Sequence, residues 1–153
     1  MMRTENDFKT GQVLLIDKPL KWTSFQVVNK LRWEIRQRFS IKKIKVGHAG
    51  TLDPLATGLL ILCTGKFTKK ISEYQAQTKE YTGVITLGAT TPSYDLETEI
   101  DQTYSIAHIS EETIHETALQ FVGEQNQTPP IFSALKKDGK RLYELARAGE
   151  TTE

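Results

Sequence analysis

The stretch from Val46 to Gly58, Val-Gly-His-Ala-Gly-Thr-Leu-Asp-Pro-Leu-Ala-Thr-Gly, limits what this chain can fold into more than any other. Three glycines and a proline break it, so it reads as a loop between two apolar runs. It holds a single acid, Asp53, on backbone turns instead of on a solvated helix face. Asp-Pro alone has an ordinary explanation. An aspartate stabilises turns by accepting from nearby amides, and the residue before proline is pushed to an extended conformation.

The neighbouring segments frame this loop. Gln12 to Asp17 reads as a strand ending at Lys18-Pro19. Thr23 or Ser24 can then cap a helix reaching about Arg38, with Val27, Leu31 and Ile35 recurring every four residues. Lys42 to Val46 is expected to be a second strand that delivers the chain to His48. Leu59 to Cys63 is a continuous apolar run, the pattern of a strand covered on both faces. Phe67 to Ala76 suits a short helix with Ile71 and Tyr74 inward. Tyr81 to Leu87 alternates as a strand should. Tyr94 to Asp101 suits an exposed loop or edge hairpin, and Ser110 opens a helix to Phe121 or Val122 with acids in its first turn. Pro129-Pro130 stops regular structure, before a short strand at Ile131 to Leu135. Asp138-Gly139 marks a turn before a last helix, Arg141 to Ala148. The alternation predicts an α/β chain of α+β type, a mixed, largely antiparallel sheet with packed helices.

The 153 residues suit one domain, and 38% apolar content is that of an ordinary globular protein. The N-terminus lacks the apolar core of a secretory signal, and the longest uncharged apolar-rich stretch, Pro54 to Gly65, is far short of the ~20 residues a spanning helix needs. A cytoplasmic protein without membrane contact is expected. The lone Cys63 reads as a structural thiol. Charge is unevenly placed: residues 1–80 carry 15 Lys and Arg against 7 Asp and Glu, whereas residues 81–153 carry 5 against 12. Such polarity suits a polyanion on one side of the molecule, although mixed charge also simply solvates a surface.

Several chemistries are excluded. Six residues separate Gly58 from Gly65, not the four of a phosphate loop, and Phe67 follows Lys66 where Ser or Thr should hold magnesium. Asp95, Glu97 and Glu99 lack the sixth-position glycine of a calcium loop. Three histidines and one cysteine show no zinc spacing. No metal and no cofactor are expected.

The loop resembles, nearly letter for letter, the catalytic loop of the TruB family of RNA pseudouridine synthases, at His48, Gly50, Leu52, Asp53, Pro54, Leu55, Ala56, Thr57 and Gly58. Asp17-Lys18-Pro19 with Trp22-Thr23-Ser24 resembles the family's N-terminal motif, and Lys79-Glu80-Tyr81 the segment supplying its active-site tyrosine. Residues 129–136 and 139–147 are similar to its mobile RNA-clamping region. One departure is Lys21, where many relatives have glycine.

The resemblance implies a pseudouridine synthase-like fold with its site in a central cleft. It implies a cofactor-free isomerase acting on the T-loop uridine of tRNA, position 55 in tRNA numbering. Asp53 would be the catalytic carboxylate, acting on sugar or base, and Tyr81, also catalytic, would stack on the uracil and take part in proton transfer. His48 would contact the flipped nucleotide or fill its place. Lys18 would support the loop and phosphate contacts, while Lys136, Lys137, Lys140 and Arg141 would track the RNA backbone. The plainer readings are a core aromatic for Tyr81, a turn-fixing His48 and a solvated Lys18. Residues 1–153 would form the N-terminal part of a catalytic domain, with 129–149 a clamping insertion, ahead of strands carrying the basic partner of the aspartate. A monomer bound to the T stem-loop is expected. A guide-RNA-dependent synthase and a non-catalytic tRNA-binding or folding module remain as alternatives.

Overall fold

The computed structural model describes residues 4–128, 136, 137 and 139–141. The chain falls into two compact units, residues 1–82 and 83–153.

In the first unit, α1 (Glu5–Thr10) leads into β1 (Val13–Lys18), and α2 (Ser24–Phe39) follows. Then come β2 (Val46–His48), β3 (Gly58–Thr64), a 3-10 helix (Gly65–Lys70) and α3 (Ile71–Gln75). The three strands form one antiparallel sheet in the order β1-β3-β2. The register places Leu14 opposite Leu62 and Ile16 opposite Leu60. Strand alternation puts these side chains on one face, where Leu14, Leu60 and Leu62 are buried in a core with Val27, Val28 and Ile35 of α2. The other face of β3 is covered only towards its end: Cys63 is buried, whereas Leu59 is exposed. The expectation of cover on both faces thus holds at one end of the strand.

Helix α2 starts where a capping box fixes it. The Thr23 hydroxyl accepts from the Gln26 amide at 3.1 Å, and the Gln26 side chain accepts from the Thr23 amide at 2.7 Å. Helix α1, absent from the sequence reading, has the same device in Thr4 and Asp7. It brings Phe8 within 5.7 Å of the Phe39 ring. Thr64, fully buried, fastens α1 to the sheet: its hydroxyl donates to the Phe8 carbonyl at 2.9 Å and accepts from the Gln12 amide at 3.0 Å. The chain passes so tightly there that a Cβ on Gly65 would stand 2.1 Å from the Lys9 carbonyl oxygen.

Two expected strands need correction. The second strand runs over Val46–His48, not from Lys42. Ile41 and Ile44 both pack against the core, and a three-residue spacing of inward side chains does not fit the two-residue period of a strand. Tyr81 to Leu87 is not a strand. Val84 is 95% and Ile85 87% exposed, and no described strand pairs with the segment. Alternation marks a surface suited to a sheet, but cross-strand pairing supplies the stability.

The second unit contains β4 (Ala89–Thr90) and β5 (Gln102–Thr103), paired antiparallel around the expected hairpin loop. Within that loop Ser93 bonds both Thr98, through its amide and its hydroxyl, and the Asp95 carbonyl. Helix α4 (Glu111–Leu119) is capped by Ser110, whose hydroxyl accepts from the Thr113 amide at 3.2 Å. β6 (Lys136–Lys137) pairs with β7 (Lys140–Arg141) about Gly139, at φ 84°. Arg141 thus belongs to a strand, not to the start of a helix. The expected strand at Ile131 to Leu135 and the rest of the expected last helix lie outside the described residues. Helices with antiparallel sheets bear out the α+β class.

Candidate active site

The loop from Ala49 to Thr57 is held at three places. The Ala49 amide donates to the Ile61 carbonyl at 2.9 Å, extending the β2–β3 ladder by one residue. At its middle, the Ser24 hydroxyl accepts from the Leu52 amide at 2.9 Å and donates to the Leu52 carbonyl at 3.2 Å. The Lys21 amide donates to the Pro54 carbonyl at 2.7 Å. Two motifs about thirty residues apart are thereby bound into one assembly. Sequence reading offered Thr23 or Ser24 as the cap of α2; the structure uses Thr23, which frees Ser24 for the loop. The Thr-x-x-Gln spacing of Thr23 and Gln26 was the signal for that division.

Asp53 opens a β-turn closed by the Ala56 amide donating to the Asp53 carbonyl at 3.0 Å, with Pro54 at the position whose φ proline presets. The Asp53 side chain is exposed, and none of the described residues hydrogen-bonds its carboxylate. The ordinary explanation of Asp-Pro, a side chain engaged by turn amides, is therefore not what the structure shows. Gly50, at φ 113°, takes a conformation that a side chain would strain.

The His48 ring is half-buried at the end of β2, and its Nδ1 bonds the Gly50 carbonyl. A carbonyl can only accept, so Nδ1 carries the proton and Nε2 is left for another partner. Lys18 is fully buried. Its ammonium donates to the Trp22 carbonyl at 2.6 Å and the Pro19 carbonyl at 3.1 Å, closing the turn that carries Lys21. That is loop support; buried so, Lys18 presents no surface to a phosphate. Lys21 has φ 66°, so the turn keeps the left-handed conformation that glycine adopts freely.

Beside the loop lies an open cavity of about 340 Å³, lined by Gly50, Leu52, Leu60, Tyr74, Lys79 and Tyr81 among others. That is the lower end of the range of small-molecule pockets. Tyr81 is 72% exposed and sits on irregular backbone, not in the core, so the plainer reading of a packed aromatic does not describe it. The cavity thus brings Tyr81 beside Gly50, Thr51 and Leu52 of the loop; His48 and Asp53 do not line it, and each is next along the chain from a residue that does, Ala49 and Leu52. Lys136, Lys137, Lys140 and Arg141 form the β6–β7 ladder of the second unit, with Lys136 opposite Arg141 and Lys137 opposite Lys140. Among the described residues no group of His, Cys, Asp and Glu could hold a metal ion, and no helix is long and apolar enough to cross a membrane.

Residues 36–153 match the family described as TruB family pseudouridylate synthase (N terminal domain). The tRNA pseudouridine synthase B of Flavobacterium johnsoniae is 68% identical over 98% of this chain and 66% of its own length. Its counterparts from Phocaeicola vulgatus and Bacteroides thetaiotaomicron are 61% and 60% identical, over 96% of this chain and 63% and 61% of their own lengths. The chain therefore spans a little under two thirds of the curated relatives it matches. A family model over most of the residues, relatives this similar, and a loop built around an exposed, unengaged aspartate agree: the chain belongs to the TruB family.

Proposed function

We propose that this chain is the catalytic-loop part of a tRNA pseudouridine synthase that isomerises the T-loop uridine, position 55 in tRNA numbering, without metal or cofactor. The observation that carries the reading is the Asp53 carboxylate, exposed and without a hydrogen bond from any described residue, on a loop otherwise tied down at three places. A structural aspartate would be bonded to its turn; a reacting one must be available to the substrate.

In the reaction the N1–C1′ bond of uridine breaks, the base turns while held, and a C5–C1′ bond forms. N1 gains a proton and the C5 hydrogen leaves to solvent, so the product is an isomer. Asp53 acts by attack on sugar or base, or on a sugar proton in an elimination route. Tyr81 stacks on the uracil beside the cavity. The uridine lies within folded RNA and is flipped out to be reached; the His48 Nε2 faces the nucleotide or its vacated place. The basic β6–β7 hairpin follows the backbone of the T stem-loop. The relatives named as tRNA pseudouridine synthase B favour this reading over a guided enzyme or a binding module. The work is that of the cytoplasm, and a monomer suffices for it.

The test is tritium release from an unmodified tRNA transcript carrying [5-³H]uridine. The chain continued along its natural reading frame, so that it carries the basic partner expected for Asp53, should release tritium, and Asp53→Asn in it should release none above background while still binding RNA. Equal release from both would remove Asp53 from the chemistry. No release from the folded, continued wild-type chain would sink the proposal.

A further inference from the structure

Away from the Asp53 loop, at the other end of β2, Arg32, Arg36, Lys42, Lys43 and Lys45 surround a shallow groove of about 520 Å³ floored by Ile44. The sequence makes this groove by its spacing. Ile41 and Ile44 pack against the core, which leaves Lys42, Lys43 and Lys45 exposed beside the exposed Arg36 of α2. Arg32 is fixed in place: its guanidinium donates to the Asn29 side chain at 2.7 Å and to the Val46 carbonyl at 3.1 Å. No acidic residue lines the groove, and among the described residues no carboxylate pairs with Arg36, Lys42, Lys43 or Lys45. Five cations gathered without a counter-charge repel one another, and a polyanion relieves that repulsion.

We infer that this groove binds the phosphate backbone of the RNA substrate, as a second contact distinct from the Asp53 loop and from the basic hairpin. The inference rests on the proposed RNA-modifying function. Lys45 immediately precedes β2 and His48 ends it, so groove and loop are roughly 10 Å apart along three strand residues. A strand of RNA with its uridine at the loop therefore carries neighbouring phosphates past the groove. Arg32, held by the protein, contributes fixed charge, while the exposed lysines follow the backbone without reading bases.

The experiment is titration of an unmodified tRNA transcript against the chain at several salt concentrations. It compares wild type, the triple variant Arg36→Gln/Lys42→Gln/Lys43→Gln, and a charge-matched triple at Lys9, Lys69 and Lys70. Each lost phosphate contact makes the plot of log K against log salt shallower by nearly one. The groove triple should flatten it by roughly 2–3 and weaken binding about tenfold or more near ~0.1 M salt. The second triple, whose lysines do not line the groove, should stay within about twofold of wild type. Circular dichroism checks folding, and the exposed pair Lys42→Glu/Lys43→Glu replaces the triple if α2 suffers. Equal losses in both triples would reduce the effect to net charge and overturn the groove. So would no loss in the groove triple, no RNA binding by wild type, or groove-dependent binding of anionic lipid vesicles without RNA binding. Tritium release by the wild-type chain continued along its reading frame, measured alongside, separates the two readings. Release with an unaffected groove triple removes the groove alone, and groove-dependent binding without release removes the function alone.

Discussion

Residues 13–64 and residues 81–100 are both rich in apolar side chains, yet they have opposite fates. In the first, Leu14, Leu60 and Leu62 meet across a register that leaves each covered. In the second, Val84, Ile85 and Leu96 are each more than four-fifths exposed. The difference lies in partners. β3 has a strand on either side and α2 against its face, while residues 81–87 have no described strand beside them. Local pattern states what a segment could do; pairing decides whether it does.

The contrast breaks most directly in the core. Leu62→Ala should cost about 2–5 kcal/mol, read as a lower urea midpoint, because a fully buried side chain leaves a cavity. Ser24→Ala should cost about 1–3 kcal/mol by stranding the Leu52 amide and carbonyl, with Ser24→Thr recovering part of the loss. Lys21→Gly should raise stability by about 1 kcal/mol, because glycine relieves the left-handed conformation at φ 66°. Ile85→Ala should move the midpoint by less than about 0.5 kcal/mol; a loss as large as that of Leu62→Ala would erase the distinction between the two regions. Finest is a pH effect. Burial pushes the Cys63 thiol above its ordinary value. The protonated thiol is thus favoured in the fold: its contribution is complete below the unfolded value, about 8.5, and declines as pH rises through the folded one. Unfolding curves above that pH should show a falling stability that Cys63→Ala flattens.

Much of the first unit was legible because its signals are local and mutually consistent. The helical spacing of Val27, Leu31 and Ile35, the apolar run through Leu62, and the glycine-proline punctuation around Asp53 each name an element, and the elements fit together. Three features escaped for physical reasons. α1 is six residues long, too short for periodicity, and only its Thr4–Asp7 capping pair marks it. Lys18 reads as surface from its charge; the carbonyls of Pro19 and Trp22 that bury it become partners only once the turn forms. Ser24 reads as a cap, since its bond to Leu52 spans 28 positions. The loop's identity was in the sequence, but what holds the loop was not. Tyr81 was found by resemblance, while the strand expected around it was not formed, because alternation cannot report a missing neighbour.

The bond from Leu52 to Ser24 also sets how the loop breathes. Thr51 and Asp53, on either side, have amides without a protein acceptor among the described residues. They should exchange with deuterium as fast as an open loop allows. The Leu52 amide instead rests on a hydroxyl in the first turn of α2, and meets solvent only when that turn lets go. One slow site between two fast ones would mean that the loop takes its rigidity from the helix. Whatever loosens the start of α2, a hot solvent or a lost cap, reaches the aspartate one residue later.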